Sequence, residues 1–284
     1  MKILMNTELV SRSDAKVDIE DRGYQFGDGI YEVIRVYDGE IFTLDEHMER
    51  LERSAKEIKI TLPCSLSELK ERVKELVSVN AVHDGGIYMQ VTRGVSARNH
   101  LFPGADVKAQ LIAYPVPSKR PEELQKSGVE AMTLEDIRWK RCDIKSLNLL
   151  GNILAKQEAS EADKFEAVMI RDGIVTEGSS TNFYAVKDGT VYTHPANHYI
   201  LNGITRMKII EACGHAGIPF EEKGIRAEDL HQYDEVFISS TTIEVMPVIR
   251  LDNLEYSGGR PGPVTQSLQK AFRNLLPGGN VYTQ

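Results

Sequence analysis

Apolar positions recur every second residue in some stretches of the chain and every third or fourth in others, and the switching between these periods predicts its elements. Residues 31–37 read as a strand, a shorter apolar run follows at 41–44, and Asp38-Gly39 between them is a two-residue hairpin signal. From about 45 to 58, Met48, Leu51 and Ile58 fall on one stripe of a helix, and a second helix is expected from 66 to about 79. Strands are expected near 86–93 and 110–114. The run Pro115-Val116-Pro117-Ser118-Lys119-Arg120-Pro121 then interrupts both periods as a semi-rigid stretch. A domain boundary is expected there.

Short strands dominate the second half. Residues 129–139 read as extended, and Leu147, Leu150 and Leu154 fall at helical spacing, which predicts Lys145 at a strand-to-helix turn. Residues 167–170 and 174–177 flank Asp172-Gly173, and 182–186 and 191–193 flank Asp188-Gly189, so two further hairpins are expected. Glu177 then ends a strand. Asn202-Gly203-Ile204-Thr205 opens a helix to about 216, and 236–238 is a buried-looking strand that exits into Ser239-Ser240-Thr241-Thr242. The sequence contains no internal repeat and no low-complexity tract.

At 284 residues, 41% hydrophobic and 27% charged, the chain is long enough for two cores, because single cores stop growing near ~250 residues. A net charge of -8 with no basic stripe argues against nucleic-acid and membrane-surface partners, both of which call for clustered Lys and Arg. The opening residues meet polar and acidic positions at once, without the apolar stretch of a signal peptide, and no segment approaches the ~20 apolar residues of a membrane span. Cys64, Cys142 and Cys213 are odd in number and widely spaced, which suits neither a disulfide framework nor a zinc site. They read as the reduced thiols of a cytoplasmic protein.

The candidate chemistry lies in two runs. Asp143-Ile144-Lys145-Ser146-Leu147-Asn148 offers an amine, and Thr176-Glu177-Gly178-Ser179-Ser180-Thr181-Asn182 offers what an aldehyde-binding amine needs around it. A lysine is protonated near its ordinary pKa of ~10.4, so it condenses with an aldehyde only where burial or positive neighbours depress that value. Lys140 and Arg141 are candidate neighbours. A pyridoxal ring withdraws electrons only while its nitrogen stays protonated, and Glu177 is a natural partner for that nitrogen. The Gly178-Ser179-Ser180-Thr181 loop, the N–H groups at the start of the Thr205 helix and the Ser239 to Thr242 hydroxyls are candidate ligands for a phosphate arm. Taken singly each has a plainer reading: a solvated surface lysine, a polar turn, an ordinary helix cap, a polar strand exit. Their conjunction suggests pyridoxal 5'-phosphate.

The segments Asp21-Arg22-Gly23-Tyr24-Gln25-Phe26-Gly27-Asp28-Gly29-Ile30-Tyr31-Glu32, Asp143 to Asn148, Thr176 to Ser180 and Gly203-Ile204-Thr205-Arg206 resemble the fold-type IV pyridoxal phosphate enzymes, in the order and at the separations expected of them. The resemblance covers almost the whole chain. It implies a two-domain α/β (α+β) fold, with a smaller N-terminal α/β domain at 1–115, a linker at 116–121 and a larger C-terminal pseudo-barrel domain at 122–284, the cofactor between the two. It implies Lys145 as the lysine that takes the cofactor aldehyde and shuttles the substrate proton. Glu177 is then the partner of the ring nitrogen and Leu201 packs on the ring face. Arg50, Ser180, Thr181, Ile204 by its backbone N–H, Thr205, Ser240 and Thr241 are implied as the phosphate ligands.

Within that family, Arg98 and His100, with Tyr31, resemble the carboxylate-binding group of D-amino acid aminotransferases. An Arg fork binds a carboxylate bidentately, and the side from which it does so selects the enantiomer whose α-hydrogen faces the lysine. The implied activity is amino transfer between D-amino acids such as D-alanine and D-glutamate and 2-oxo acids such as 2-oxoglutarate and pyruvate, in a homodimer. Three rivals share the cofactor residues. A branched-chain L-aminotransferase gives no reason for the Arg-x-His pair, an aminodeoxychorismate lyase releases pyruvate without an acceptor, and a non-catalytic carrier turns over nothing. Val33, Arg35 and Thr242 suggest a small, somewhat polar side-chain pocket.

Overall fold

The structure is a computed structural model that describes residues 1–279. Two compact units emerge. One comprises Met1–Lys119 with Ile144–Asn148, and the other Arg120–Asp143 with the chain from Leu149 onward.

The first unit is built on a six-stranded antiparallel sheet of β1 (Lys2–Met5), β2 (Glu8–Ser11), β3 (Gly29–Tyr37), β4 (Glu40–Ile41), β5 (Gly85–Thr92) and β6 (Gln110–Val116), in the order β2-β1-β6-β5-β3-β4. Asp38 and Gly39 take φ of 49° and 82° between β3 and β4, the positive pair that a tight hairpin turn demands. A short helix α1 (Arg22–Phe26) precedes β3, and α2 (Leu44–Glu57) and α3 (Leu66–Val79) cover one face of the sheet. Met48, Leu51, Leu69, Val73 and Leu76 from these helices pack with Ile30, Ile34, Ile87 and Met89. Strand alternation therefore turns Tyr31, Val33 and Arg35 to the opposite face.

Lys145 does not stand at a strand-to-helix turn. The extended stretch expected over 129–139 is a shorter strand, β7 (Val129–Glu135), and the helix expected to follow Leu147 begins later, as α5 (Leu150–Glu161). Between them Lys145 runs alongside β3. Ile30 bridges Ser146, the Tyr31 N–H donates to Lys145 O at 3.0 Å, and the Leu147 N–H donates to Gly29 O at 3.0 Å. The cause is an open edge: β4 pairs only with Val36 and Tyr37, which leaves the start of β3 needing a backbone partner. Ile144 also enters the hydrophobic core of the first unit. The segment 144–148 thus belongs with the first unit and not with the block expected at 122–284.

The second unit holds a ten-stranded sheet. After β7 come β8 (Glu166–Arg171), β9 (Ile174–Gly178), β10 (Asn182–Lys187), β11 (Thr190–Thr193), β12 (Phe220–Glu222), β13 (Ile225–Arg226), β14 (Glu235–Ser240), β15 (Glu244–Leu251) and β16 (Leu254–Glu255). The ladder runs β12-β11-β10-β14-β15-β7-β8-β9-β13, with β16 beside β15. β9 and β10 touch although four strands lie between them in the ladder, so the sheet curls into a pseudo-barrel. Val168, Phe183, Val236, Ile238, Met246 and Val248 fill its core.

Helices α4 (Glu122–Ser127), α5, α6 (Ile204–Ala216) and α7 (Pro263–Asn274) dress this sheet. β7 and β8 pair in parallel, so a crossover must join them, and α5 is that crossover. Its buried face is not the one that carries its leucines. Ala155 and Ala159 lie against Ala167 and Met169, while Leu150, Ile153 and Leu154 are 70%, 59% and 52% exposed. Small residues let the helix lie close to β8, and the leucines are left outward. No helix among the described residues is long and apolar enough to cross a membrane.

Candidate active site

On the open face of β3, the Lys145 ammonium stands 4.2 Å from the centroid of the Tyr31 ring, an aromatic face to which a cation is attracted. Tyr31 stacks on Tyr88 at 5.9 Å, and Tyr88 meets Tyr114 at 5.3 Å. Burial pushes the Tyr88 phenol up to about 12, so it stays a neutral donor, here to Gln90 Oε1 at 2.8 Å. Lys145 is half-buried in this setting. The two cationic neighbours suggested by the sequence are otherwise engaged: Arg141 forks onto Asp143 at 3.0 and 3.1 Å, and Lys140 is exposed.

Behind β3 lies a charge cluster that the sequence did not reveal. Glu32 is fully buried and accepts from Arg50 Nε at 2.8 Å, from Arg50 Nη2 at 2.7 Å and from His47 Nδ1 at 2.7 Å. Burial alone would push its pKa up, but Arg50 and then His47 outweigh it and hold Glu32 at about 2. His47 is lowered, chiefly by burial against the pull of Glu32, with the charges of Arg50 and Lys145 adding to the depression. A proton on Nδ1 is what lets the ring donate to the carboxylate. Arg50, 8% exposed on α2, is therefore oriented by Glu32 through the bidentate fork.

The run Asp21 to Glu32 is largely scaffold. Asp21 caps α1 by accepting from the Gly23 N–H and receives Thr92 Oγ1, both at 2.8 Å. Gly27 closes the helix at φ 65°, and Asp28 binds Arg22 and Arg93. A Cβ on Gly29 would strike the Val91 carbonyl at 2.6 Å and Leu147 Cδ1 at 2.7 Å, so glycine there lets the Lys145 segment lie against β3. Arg98 and His100 sit on the loop after β5, both gathered about Phe26 and both on the open surface. The Arg98 guanidinium is 4.8 Å above the ring and the His100 ring 5.5 Å away. Among the described residues, no hydrogen bond or ring contact joins either of them to Tyr31.

In the second unit Glu177 is the penultimate residue of β9, one short of the strand end that the hairpin pattern predicted, and it is 5% exposed. Its Oε1 accepts from Arg138 Nη1 at 2.5 Å, and its Oε2 from Asn182 Nδ2 at 3.1 Å and from the Leu201 N–H at 3.0 Å. Burial pushes its pKa up, against the pull of Arg138. Arg138 is divided between two acids, because its Nε and Nη2 each bind Asp136 at 2.9 Å. Asp136 in turn takes Thr176 Oγ1 at 2.9 Å and Arg171 at 3.0 Å. With three donors for about four lone-pair positions, the carboxylate of Glu177 keeps room on Oε1 for one more N–H. Arg138, Asp136 and Asn182 were missed in the sequence; Arg138 lies in what reads there as continuous strand. Leu201 serves Glu177 through its backbone N–H, and its carbonyl accepts from Asn182 at 2.9 Å.

The hydroxyls expected to bind phosphate differ in their commitments. Ser180 is exposed, whereas Thr181 is buried and donates to Glu166 Oε2 at 3.1 Å. A hydroxyl has one proton, so in this arrangement Thr181 presents no donor to an anion. Thr205 is not a helix cap: Gly203 is the N-cap of α6 and makes no side-chain cap bond. The N–H groups of Ile204 and Thr205 fall among the first-turn donors that an α-helix leaves unpaired. Ser240 ends β14, its Oγ 3.3 Å from Thr242 Oγ1, and Thr241 is half-buried beside it.

Residues 29–251 match the sequence model of amino-transferase class IV. The chain is 54% identical over 276 residues to a D-alanine aminotransferase of Bacillus licheniformis, covering 97% of each. It is 50% identical over 275 residues to a D-alanine aminotransferase of Staphylococcus haemolyticus, covering 97% of this chain and 98% of that one. Among solved structures it resembles the branched-chain amino acid aminotransferase of Escherichia coli, with a TM-score of 0.94 at 30% identity over 99% of this chain and 96% of that one. It also resembles the PLP form of the branched-chain amino acid aminotransferase of Thermobaculum terrenum, with a TM-score of 0.88 at 25% identity over 98% and 94%. The lysine, the carboxylates and the curled sheet thus sit in a chain that belongs to the amino-transferase class IV family.

Proposed function

We propose that this protein is a pyridoxal 5'-phosphate-dependent D-amino acid aminotransferase that passes the amino group of D-alanine or D-glutamate to 2-oxoglutarate or pyruvate. The observation that carries the choice of substrate is the 54% identity to a D-alanine aminotransferase over 97% of both chains. The branched-chain enzyme of similar fold stands at 30% and offers no reason for Arg98 and His100.

When bound, the cofactor supplies an aldehyde that condenses with amines and a protonated ring that draws electrons from the substrate α-carbon. Lys145 would hold that aldehyde and, once displaced by substrate, would carry the proton between the substrate α-carbon and the cofactor C4′ carbon within each half-reaction. Glu177, with its remaining lone pair and a pKa pushed up by burial, accepts the ring N–H and keeps that proton in place. Leu201 packs on the ring. Ser180, the Ile204 N–H, Thr205, Ser240 and Thr241 take the phosphate, together with Arg50, whose fork Glu32 orients. The donor side chains fit an anion of this kind: a helix N-terminus, hydroxyls and a guanidinium.

Arg98 and His100 bind the substrate carboxylate. Since both lie on the surface and no contact among the described residues joins them to Tyr31, we assign them to the site of a second copy in a homodimer, while Tyr31 stays beside its own Lys145. The outward Leu150, Ile153 and Leu154 of α5 support such a dimer, because they leave an apolar stripe uncovered on the single chain. Its three free cysteines suit the cytoplasm. The reaction is ping-pong: the first oxo acid leaves before the second binds.

The test supplies purified protein with D-alanine and, separately, L-leucine, each with 2-oxoglutarate, and follows oxo acid formation. Product from D-alanine is expected. Product from L-leucine alone rejects the reading in favour of the branched-chain one, and pyruvate release from aminodeoxychorismate without any acceptor rejects it in favour of a lyase.

A further inference from the structure

Glu166, the first residue of β8, has no part in the chemistry above, yet it is fully buried and gathers the loop that carries Ser180. Its Oε1 accepts from the Ser179 hydroxyl, from the Ala167 N–H at 2.9 Å and from the Ser179 N–H at 3.3 Å. Its Oε2 accepts from Thr181 Oγ1 at 3.1 Å and from Ser180 Oγ at 3.5 Å. Among the described residues, the cation paired with it is Lys156, 4.0 Å away and 46% exposed. Several buried acids of this chain are met by arginines, Glu32 by Arg50, Asp136 by Arg138 and Glu244 by Arg120, whereas Asp21 and Glu235 are met by amides and a hydroxyl. Glu166 is likewise solvated by the hydroxyls and amides of a single turn, which is how a buried carboxylate is kept without a close counter-ion.

The turn is built tightly around it. A Cβ on Gly178 would collide with Thr181 Oγ1 and press on Glu166 Cγ at 3.1 Å. The Gly178 N–H donates to Thr181 O at 2.7 Å, and Asn152 Nδ2 ties Ser179 O to α5 at 2.8 Å. Of the three hydroxyls on Glu166, those of Ser179 and Thr181 belong to buried residues. Ser180 alone is exposed, and it makes the longest of the five bonds.

We propose that Glu166 is a positioning residue for the phosphate end of the cofactor: it fixes the turn through Ser179 and Thr181 and leaves the Ser180 hydroxyl as the one that changes partner to the anion. The inference rests on the cofactor reading above and divides its hydroxyls into one that binds and two that hold. Glu166 touches neither ring nor substrate in this scheme, so its removal acts on phosphate recognition and not on the aldehyde.

The test titrates full-length apoenzyme with pyridoxal 5'-phosphate and with pyridoxal, which has the same ring and aldehyde but no phosphate, reading bound cofactor by absorbance. The ratio of the two affinities isolates the phosphate end. In Glu166→Ala that ratio is expected to fall about tenfold with pyridoxal binding near wild type, and Glu166→Gln, which keeps an acceptor oxygen for Ser179 and Ala167, is expected to restore most of it. Equal weakening of both ligands, or an unchanged ratio, overturns the proposal and makes Glu166 a residue of the fold alone. If Glu166→Ala does not fold, the loop variants decide: Ser180→Ala should lower the ratio about tenfold and Thr181→Val less than about threefold, and the reverse order overturns it. Wild-type protein that binds neither ligand refutes the cofactor reading instead, a distinguishable result.

Discussion

Replacing Glu32 with glutamine removes one negative charge while keeping the shape of the side chain, and it does so in the most completely buried ion cluster of the first unit. Burial alone would raise the Glu32 pKa, yet Arg50 and His47 hold it at about 2, against an ordinary 4.5. The difference between those values corresponds to about 3 kcal/mol of differential stabilisation of the charged form. Because the folded-state value lies below the unfolded one, that contribution is fully present above pH 4.5 and is lost as pH falls toward 2. Glutamine cannot supply it at any pH. It also leaves Arg50, 8% exposed, without this counter-charge, and stranding one partner of a buried pair costs about 3–5 kcal/mol.

The expected outcome at pH 7 is a loss of about 3 kcal/mol, seen as a lower urea midpoint or a melting temperature reduced by roughly 6–12 °C in a chain of this size. The sharper signature is in acid. Cofactor-free wild type and Glu32→Gln are unfolded in urea at steps from pH 7 to pH 3, followed by circular dichroism. Between pH 5 and pH 3 the wild type should lose stability faster, so the two curves converge. Parallel curves across that window, or a loss under about 1 kcal/mol at pH 7, would refute the claim that Glu32 is held ionised by Arg50 and His47.

Three further outcomes follow from the geometry. Borohydride reduction of cofactor-loaded Lys145→Ala should fix no cofactor to the protein, and a reduced adduct on another lysine, found by mass spectrometry, contradicts the assignment. Arg138→Met takes away the 2.5 Å partner of Glu177, so the pKa of that carboxyl, already raised by burial, should climb further; kcat at neutral pH is expected to drop about tenfold or more and to recover as the pH is raised, since the carboxylate then returns. A uniform drop at every pH speaks against that role. If α5 joins two copies as proposed, charges placed on it by Leu150→Lys and Leu154→Glu should halve the sedimenting mass without lowering the stability of the chain, as both side chains are already more than half exposed; an unchanged mass rejects α5 as the contact between copies.

Much of the fold was legible in alternation and turn chemistry. The Asp38-Gly39 hairpin, the two helices after it and the placement of Glu177 near a strand end all rest on local rules, and the chain follows them. Lys145 and α5 escaped for the same non-local reason. The half-edge of β3 left open by the two-residue β4 recruits residues 144–148, and nothing within that segment announces a partner more than a hundred positions away. In α5, leucines at helical spacing announced the helix but not its buried face, which the close fit onto β8 gives to Ala155 and Ala159. Of the site, the groups named by chemistry were visible, whereas the side chains that set their charge were not. Glu32, His47, Arg138 and Asp136 look like ordinary strand and helix charges until pairing makes them partners.

Those hidden partners explain how one kind of pair does two kinds of work. Glu32 and Glu177 are both buried and both bound to an arginine, yet one pKa is driven down and the other up. Arg50 gives Glu32 both arms of its fork, and His47 adds a third bond. Arg138 gives Glu177 a single nitrogen, spends two on Asp136, and brings that second acid near enough to oppose ionisation. A carboxylate held at about 2 is a fixed charge, suited to orienting Arg50 and unable to trade protons near neutrality. A carboxylate left with a raised pKa is a better acceptor, suited to holding the proton of a pyridine nitrogen. The two buried glutamates therefore differ in the arginine nitrogens they receive, two for Glu32 and one for Glu177.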